Sequence, residues 1–428
     1  MEKLLALDIL KAWNFWGQGI ETGIPRRFYS ERIAALLNES EIGIVIETGI
    51  RRAGKSFIAR QVAKGLIEKG FPKNRILIIN LEDERLIDRS YASLLKMYDV
   101  YKENFNPDKS SIVIIDEAQE VEGWERFVRG LSEKGEAKFI VTGSSSKLLD
   151  SEYSTLLSGR QVVVYVHTLN LLEYQKFAGP DGNAGRFIAE GGFPAIALSA
   201  SKEDIASNYF NTIILKDVIQ RFRIQKQDEL IRLAKFYITS VGSRVTFNSV
   251  SKFLKLSVKT AYNFSHYLGK SYLIFFVDRF SFSIKAQDNS PKKIYSTDNA
   301  FPSMLGVNPI EIRGRLLENA IASMLYMISR HEKDFHFYYW YENNKEVDFV
   351  IKDKRKYEIV QVAYSVEDEK TRSREVSALL ECANRLNLEE AEIVTMDYSG
   401  EELINGIRIS YKKASDWIGE KLDHYGFR

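Results

Sequence analysis

From Gly49 to Ser56 the chain reads Gly-Ile-Arg-Arg-Ala-Gly-Lys-Ser, a GxxxxGKS octet between an apolar run, Ile42-Gly43-Ile44-Val45-Ile46, and a helix-patterned segment, Phe57-Ile58-Ala59-Arg60-Gln61-Val62. Strand, glycine-bounded loop and helix in that order form a phosphate-binding unit. The glycines let backbone N–H groups curl around an anion, and the helix that follows turns its positive end toward it. The expected cradle runs through Gly49, Ile50, Arg51, Arg52, Ala53, Gly54, Lys55, Ser56 and Phe57. Lys55 is placed to reach β- and γ-phosphates, and Ser56 to put its hydroxyl on Mg²⁺. A strand that feeds such a loop calls for an α/β fold with ATP and Mg²⁺ as cofactors.

A chain of 428 residues exceeds what one core usually holds, so more than one domain is expected. Lys and Arg total 60 against 58 Asp and Glu, a balance that leaves a nucleic-acid surface to be found locally or not at all. One cysteine, Cys382, excludes an internal disulfide framework and a cysteine-rich zinc site. The five histidines show no HExxH-type spacing. The N-terminus does not read as a signal peptide, and no apolar run is long enough to span a bilayer. The expectation is a soluble protein of the cytoplasm.

Beyond the loop, Arg75-Ile76-Leu77-Ile78-Ile79-Asn80-Leu81 reads as a buried strand. A second, Ile112-Val113-Ile114-Ile115, ends in Asp116-Glu117, the pattern of a Walker B element. There Asp116 is expected to hold Mg²⁺ and Glu117 to orient or deprotonate the attacking water, although an apolar strand ending in two acids is also a common solvated strand end. Lys138-Phe139-Ile140-Val141-Thr142 forms a further strand whose tip offers Ser144 or Ser145 as a γ-phosphate sensor, or simply a serine-rich turn. Arg160, beside Gly159, is the candidate arginine finger, a role often filled across a subunit boundary; its alternative is an ordinary surface arginine.

With these motifs in place, the sequence resembles the prokaryotic, largely archaeal AAA+ ATPases in which a P-loop core precedes a winged helix and a restriction-endonuclease-like domain. Gly191-Gly192-Phe193-Pro194 and Leu215-Lys216-Asp217-Val218 resemble elements of that family, though the first reads more simply as a packing corner. The resemblance implies a core over 1–165, a helical lid over 166–227, a winged helix over 228–300 and an endonuclease-like domain over 301–428.

Thr246 to Leu254 and Val258 to Leu268 pattern as two tightly joined helices, the second capped by Ser257, with wing strands at Ser271–Val277 and Lys292–Ser296. Arg244, Lys252, Lys255, Lys259 and Lys285, with Lys292 and Lys293, are expected to meet DNA phosphates, and Thr260 and Asn263 base edges. A protein-packing module with solvated lysines is the alternative.

Strands over 335–340, 346–351 and 357–363 follow the helix at Gly314–Ile321. Where endonuclease-like folds gather Mg²⁺ on a helix glutamate, a strand aspartate and an E-x-K tripeptide, this chain has Glu318, Asp348, Gln361 and Ala363. Glutamine and alanine cannot replace the anion and the cation, so cleavage is expected to be lost and the domain kept as a platform. The reading is a Mg-ATP-hydrolysing AAA+ ATPase, able to oligomerise, that binds and remodels duplex or branched DNA. Its rivals are a nucleotide-controlled switch acting through protein partners and a nucleotide-fuelled nuclease.

Overall fold

Strands that are apolar on both faces need a layer of helices on each side, and the first half of the chain supplies them. The computed structural model describes residues 1–16, 19–105, 110–143, 159–306 and 312–428. It divides into two compact units, Met1–His167 and Thr168–Arg428.

In the first unit, helices α1 (Lys3–Trp13) and α2 (Arg27–Asn38) precede β1 (Ile44–Thr48), and α3 (Lys55–Glu68) follows it. The chain continues through β2 (Ile76–Asn80), α4 (Tyr91–Phe105), β3 (Ser111–Asp116), α5 (Trp124–Glu133), β4 (Ala137–Thr142) and β5 (Gln161–Tyr165). All five strands are parallel, in the order β2-β3-β4-β1-β5. Ala6, Ile9 and Leu10 of α1, Leu94 and Met97 of α4 and Trp124 and Phe127 of α5 bury one face of the sheet. Helices α2 and α3 pack on β1 and its neighbours. Exposed strand edges invite unwanted pairing, and β2 is blunted by Asn14. Its side chain donates to Ile78 O (2.8 Å) and accepts from Ile78 N (2.7 Å), as a neighbouring strand would.

The second unit begins with helices at Leu171–Ala178, Ala184–Glu190, Pro194–Leu198 and Lys202–Thr212, the last running into a π-helical stretch, Ile213–Gln220. The Gly191-Gly192 turn is a packing corner. Gly191 has φ +78°, a Cβ there would meet Asp298 Oδ1 at 2.0 Å, and one on Gly192 would meet Leu169 O at 2.3 Å. Phe193 is buried against Tyr209 and Phe301.

Next come a helix (Gln227–Thr239), β6 (Arg244–Val245), helices Phe247–Leu254 and Val258–Lys270, β7 (Ile274–Val277) and β8 (Lys292–Ser296). The three strands form an antiparallel sheet in the order β6-β8-β7. A long helix, Arg313–His331, leads to β9 (Phe335–Glu342), β10 (Lys345–Asp353) and β11 (Lys356–Val362), a meander extended by β12 (Glu390–Thr395), β13 (Gly400–Ile404) and β14 (Ile407–Lys413). That sheet runs β13-β14-β12-β11-β10-β9. Helix Glu369–Leu386 covers one face through Val376, Leu379, Cys382 and Ala383. The chain leaving β7 hydrogen-bonds the β9 edge, with Phe280 N to Tyr339 O at 2.6 Å and Tyr339 N to Asp278 O at 3.0 Å. The expected boundaries at 227/228 and 300/301 thus fall inside one compact unit.

Candidate nucleotide site

The loop between β1 and α3 lies at the carboxyl ends of parallel strands, where open α/β sheets bind ligands. Its conformation depends on its glycines. Gly49 has φ +145° and a Cβ there would strike Val166 O at 2.0 Å; Gly54 has φ +98° and starts the helix. Arg52 adopts φ +69° and Arg51 is buried, its guanidinium 3.5 Å from Glu82. Lys55 is buried, and its ammonium bonds Gly49 O at 3.0 Å and Ile50 O at 2.9 Å. The loop's own carbonyls hold the cation that a phosphate would compete for. Phe57 is partly exposed, with the Arg60 guanidinium 5.3 Å from its ring centroid.

Asp116 stands at the tip of β3, and Ser56 Oγ donates to its Oδ1 at 2.7 Å. Thr142 Oγ1, at the tip of β4, donates to the same oxygen at 2.5 Å and accepts from Glu117 N at 3.1 Å. Glu117 takes φ +57°, which turns its side chain away from the strand direction to meet the Gln119 amide. Burial pushes the Asp116 carboxyl above its ordinary range, and Glu117 beside it pushes the same way; Thr142 and Ser56 oppose both.

Two further groups complete the site that the sequence reading did not identify. Glu47 on β1 is fully buried and neither carboxylate oxygen has a hydrogen-bond partner among the described residues; burial and then Asp116 push its pKa well up. Its position at the end of an apolar run was the only signal. Arg26, buried just before α2, donates to Ala53 O at 2.7 Å and to His167 O at 3.0 Å, clamping the phosphate loop from behind. The sensor candidates Ser144 and Ser145 lie outside the described residues. Arg160 is exposed, and its carbonyl accepts from Gly43 N and Ile44 N at the start of β1. That puts it a strand's length, roughly 15 Å, from its own phosphate loop.

In the second unit, Lys252, Lys255, Lys259 and Lys285 are exposed around the helix pair. Lys255 turns the chain between the two helices at φ +56°, and Ser257 caps the second by accepting from Thr260 N at 3.1 Å. Thr260 and Asn263 are half-buried. The structure corrects Lys293 as a phosphate contact and gives Arg244 and Lys292 acidic neighbours. Arg244 is engaged by Glu346 at 3.2 Å and stacks 3.7 Å from the Tyr341 ring centroid, Lys292 is paired with Asp278, and Lys293 is buried. A strand alternates its side chains, and here the alternation turns Lys293 inward. Glu318 and Asp348 are brought together, while Gln361 is spent on Asp348 N (3.1 Å) and Glu375 (2.6 Å) and Ala363 is packed in the core.

Residues 42–175 match a family described as an AAA domain. Residues 183–311 and 313–411 match two families described as domains of unknown function. The uncharacterized Methanocaldococcus jannaschii protein MJ1544 is 30% identical over 375 residues, 82% of this chain and 81% of its own length. An uncharacterized Haemophilus influenzae protein is 24% identical over 410 residues, 92% of this chain and 98% of its own. Among solved structures, the Aeropyrum pernix ORC1 protein in complex with DNA aligns with 76% of this chain and 98% of its own at 11% identity, with a TM-score of 0.33, a likeness too remote to argue from. No helix among the described residues is long and apolar enough to cross a membrane.

Proposed function

The chain belongs to the family of AAA-domain proteins that holds its M. jannaschii relative, and on that premise we propose that it is an AAA+ P-loop ATPase whose Mg-ATP turnover remodels DNA. One observation carries the first half of this reading. Ser56 and Asp116, from different elements, already share a 2.7 Å hydrogen bond, so the hydroxyl and carboxylate that Mg²⁺ needs are adjacent. Ser56 and Asp116 would hold Mg²⁺, which would supply positive charge against the phosphates. Lys55 exchanges its two loop carbonyls for phosphate oxygens, and the main-chain amides of 49–57 surround the anion. Glu117, held by Gln119, orients the attacking water. Arg160 serves only a neighbouring copy, because it stands at the far end of its own sheet.

For the second half, the order helix, β6, helix, helix, β7, short helix, β8 suits a winged helix, and of its exposed lysines Lys252 lies on the first helix of the turn, Lys255 between the two and Lys259 on the second. The 301–428 region serves as a platform of endonuclease-like build that does not cut, because Gln361 and Ala363 stand at the E-x-K positions. A second reading rests on the same face: Phe253, Val258 and Tyr262 are each nearly half exposed there, which suits a protein partner.

ATP turnover measured alone, with linear duplex and with a four-way junction separates the two. The DNA reading expects stimulation that is lost in K252E/K255E/K259E and no turnover at all in K55A. Turnover indifferent to both DNAs refutes it in favour of a protein-responsive switch.

A further inference from the structure

The acidic cluster of the C-terminal sheet surrounds a lysine that reaches it from another sheet. Lys293 Nζ, on β8, lies 2.9 Å from Glu318, 2.8 Å from Asp348 and 2.7 Å from Glu346. An ammonium has three N–H bonds, and each has a carboxylate here. The three acids are held by further donors. Tyr295 donates at 2.6 Å to the same Glu318 oxygen, Oε1, that meets Lys293, Val362 N donates to the second oxygen of Asp348 at 3.0 Å, and Arg244 pairs with the second oxygen of Glu346 at 3.2 Å. We propose that Lys293 is the resident cation of this cluster: its ammonium occupies the seat of a divalent metal, closes the site to metal, and fastens the β6-β8-β7 sheet to the sheet that carries Asp348.

The electrostatics agree with the geometry. Burial alone would lower the lysine's pKa, but Asp348 and Glu318 outweigh it and hold the group well above its ordinary range. Glu318, through burial and then Asp348, is pushed up to about 7. A buried charge left without its partner is strongly destabilising, so the lysine and its acids are held as a set. A divalent ion needs bare carboxylate oxygens, and those facing the cluster centre are occupied.

The full-length protein without nucleotide is titrated with Mn²⁺, bound ion being counted from the free-ion EPR signal and unfolding followed with and without Mn²⁺. Wild type and D348N are expected to bind the same number of ions. K293A is expected to take up one further equivalent and to gain melting temperature with Mn²⁺, and K293A/D348N to lose both gains. Uptake by wild type that D348N abolishes, metal-dependent nicking of DNA that D348N abolishes, or a folded K293A that takes no further ion each overturns the proposal. Should K293A not fold, K293M/E318Q/D348N decides: removing the cation together with two of its acids restores cooperative unfolding if charge balance is the lysine's role, and failure to restore it refutes that role.

Discussion

Thr142→Val tests the catalytic geometry most directly, because it keeps the shape of the side chain and removes its hydroxyl. Thr142 is completely buried, and its Oγ1 both donates to Asp116 Oδ1 at 2.5 Å and accepts from Glu117 N at 3.1 Å. A hydrogen bond to a charged group is worth about 1.5–3 kcal/mol, and an orphaned buried N–H costs about 1–3 kcal/mol more. Both losses fall on the two acids assigned to Mg²⁺ and water. If even 1.4–2.8 kcal/mol of that is felt in the transition state, kcat falls about 10- to 100-fold. Mg-ATP affinity should change much less, since Lys55 and the loop amides that carry it are untouched. Steady-state ATP turnover gives kcat, calorimetry gives affinity, and Thr142→Ser, which keeps the hydroxyl, should restore most of the rate. Wild-type kcat in the valine variant, or an equal loss in the serine variant, would show that the hydroxyl does not hold these acids.

Glu47 gives a pH-dependent prediction. Its folded-state pKa is raised above the ordinary 4.5, so the stability of its neutral form is present below that pH and is lost as pH rises. Glu47→Gln removes the ionisation, so the melting temperature of E47Q minus that of wild type should widen between pH 5 and pH 9; a constant difference would show that Glu47 is charged in the folded protein. Gly192→Ala puts a Cβ 2.3 Å from Leu169 O, a backbone atom that cannot move freely, and is expected to cost about 1–3 kcal/mol as a lowered urea midpoint. An unchanged midpoint would mean that the Gly191-Gly192 corner is loosely packed.

The parallel core could be read from the sequence because its strands are apolar on both faces and its phosphate loop has a fixed spacing. What could not be read is decided by register. The string Thr142-Gly143-Ser144-Ser145-Ser146 offers several hydroxyls, and the register of β3 on β4, with Ile115 opposite Val141, is what brings Thr142 to Asp116. β1 itself extends past the apolar run to Thr48, so a reading that stops at the first polar residue excludes Glu47. Strand β5 carries a visible signal, Val162-Val163-Val164, that an emphasis on Arg160 passed over. For Lys293, the run Lys292-Lys293 on a strand guarantees that one lysine faces inward. Its partners come from positions 318, 346 and 348, and nothing in the local sequence links them.

The two acidic clusters differ in how the burial of their carboxylates is compensated. Around the phosphate loop, among the described residues, Glu47 has no hydrogen-bond partner and the Asp116 carboxylate accepts from two hydroxyls, while Lys55 is turned toward loop carbonyls. The negative charge there is under-compensated, and burial raises both acids. Around Lys293 the same residue types meet a cation instead, its ammonium lying 2.8 Å from Asp348 and 2.9 Å from Glu318. A metal entering there would first have to expel a buried lysine, which is the more costly exchange. The two clusters thus differ in what compensates their buried acids, hydroxyls beside Asp116 and an ammonium beside Asp348.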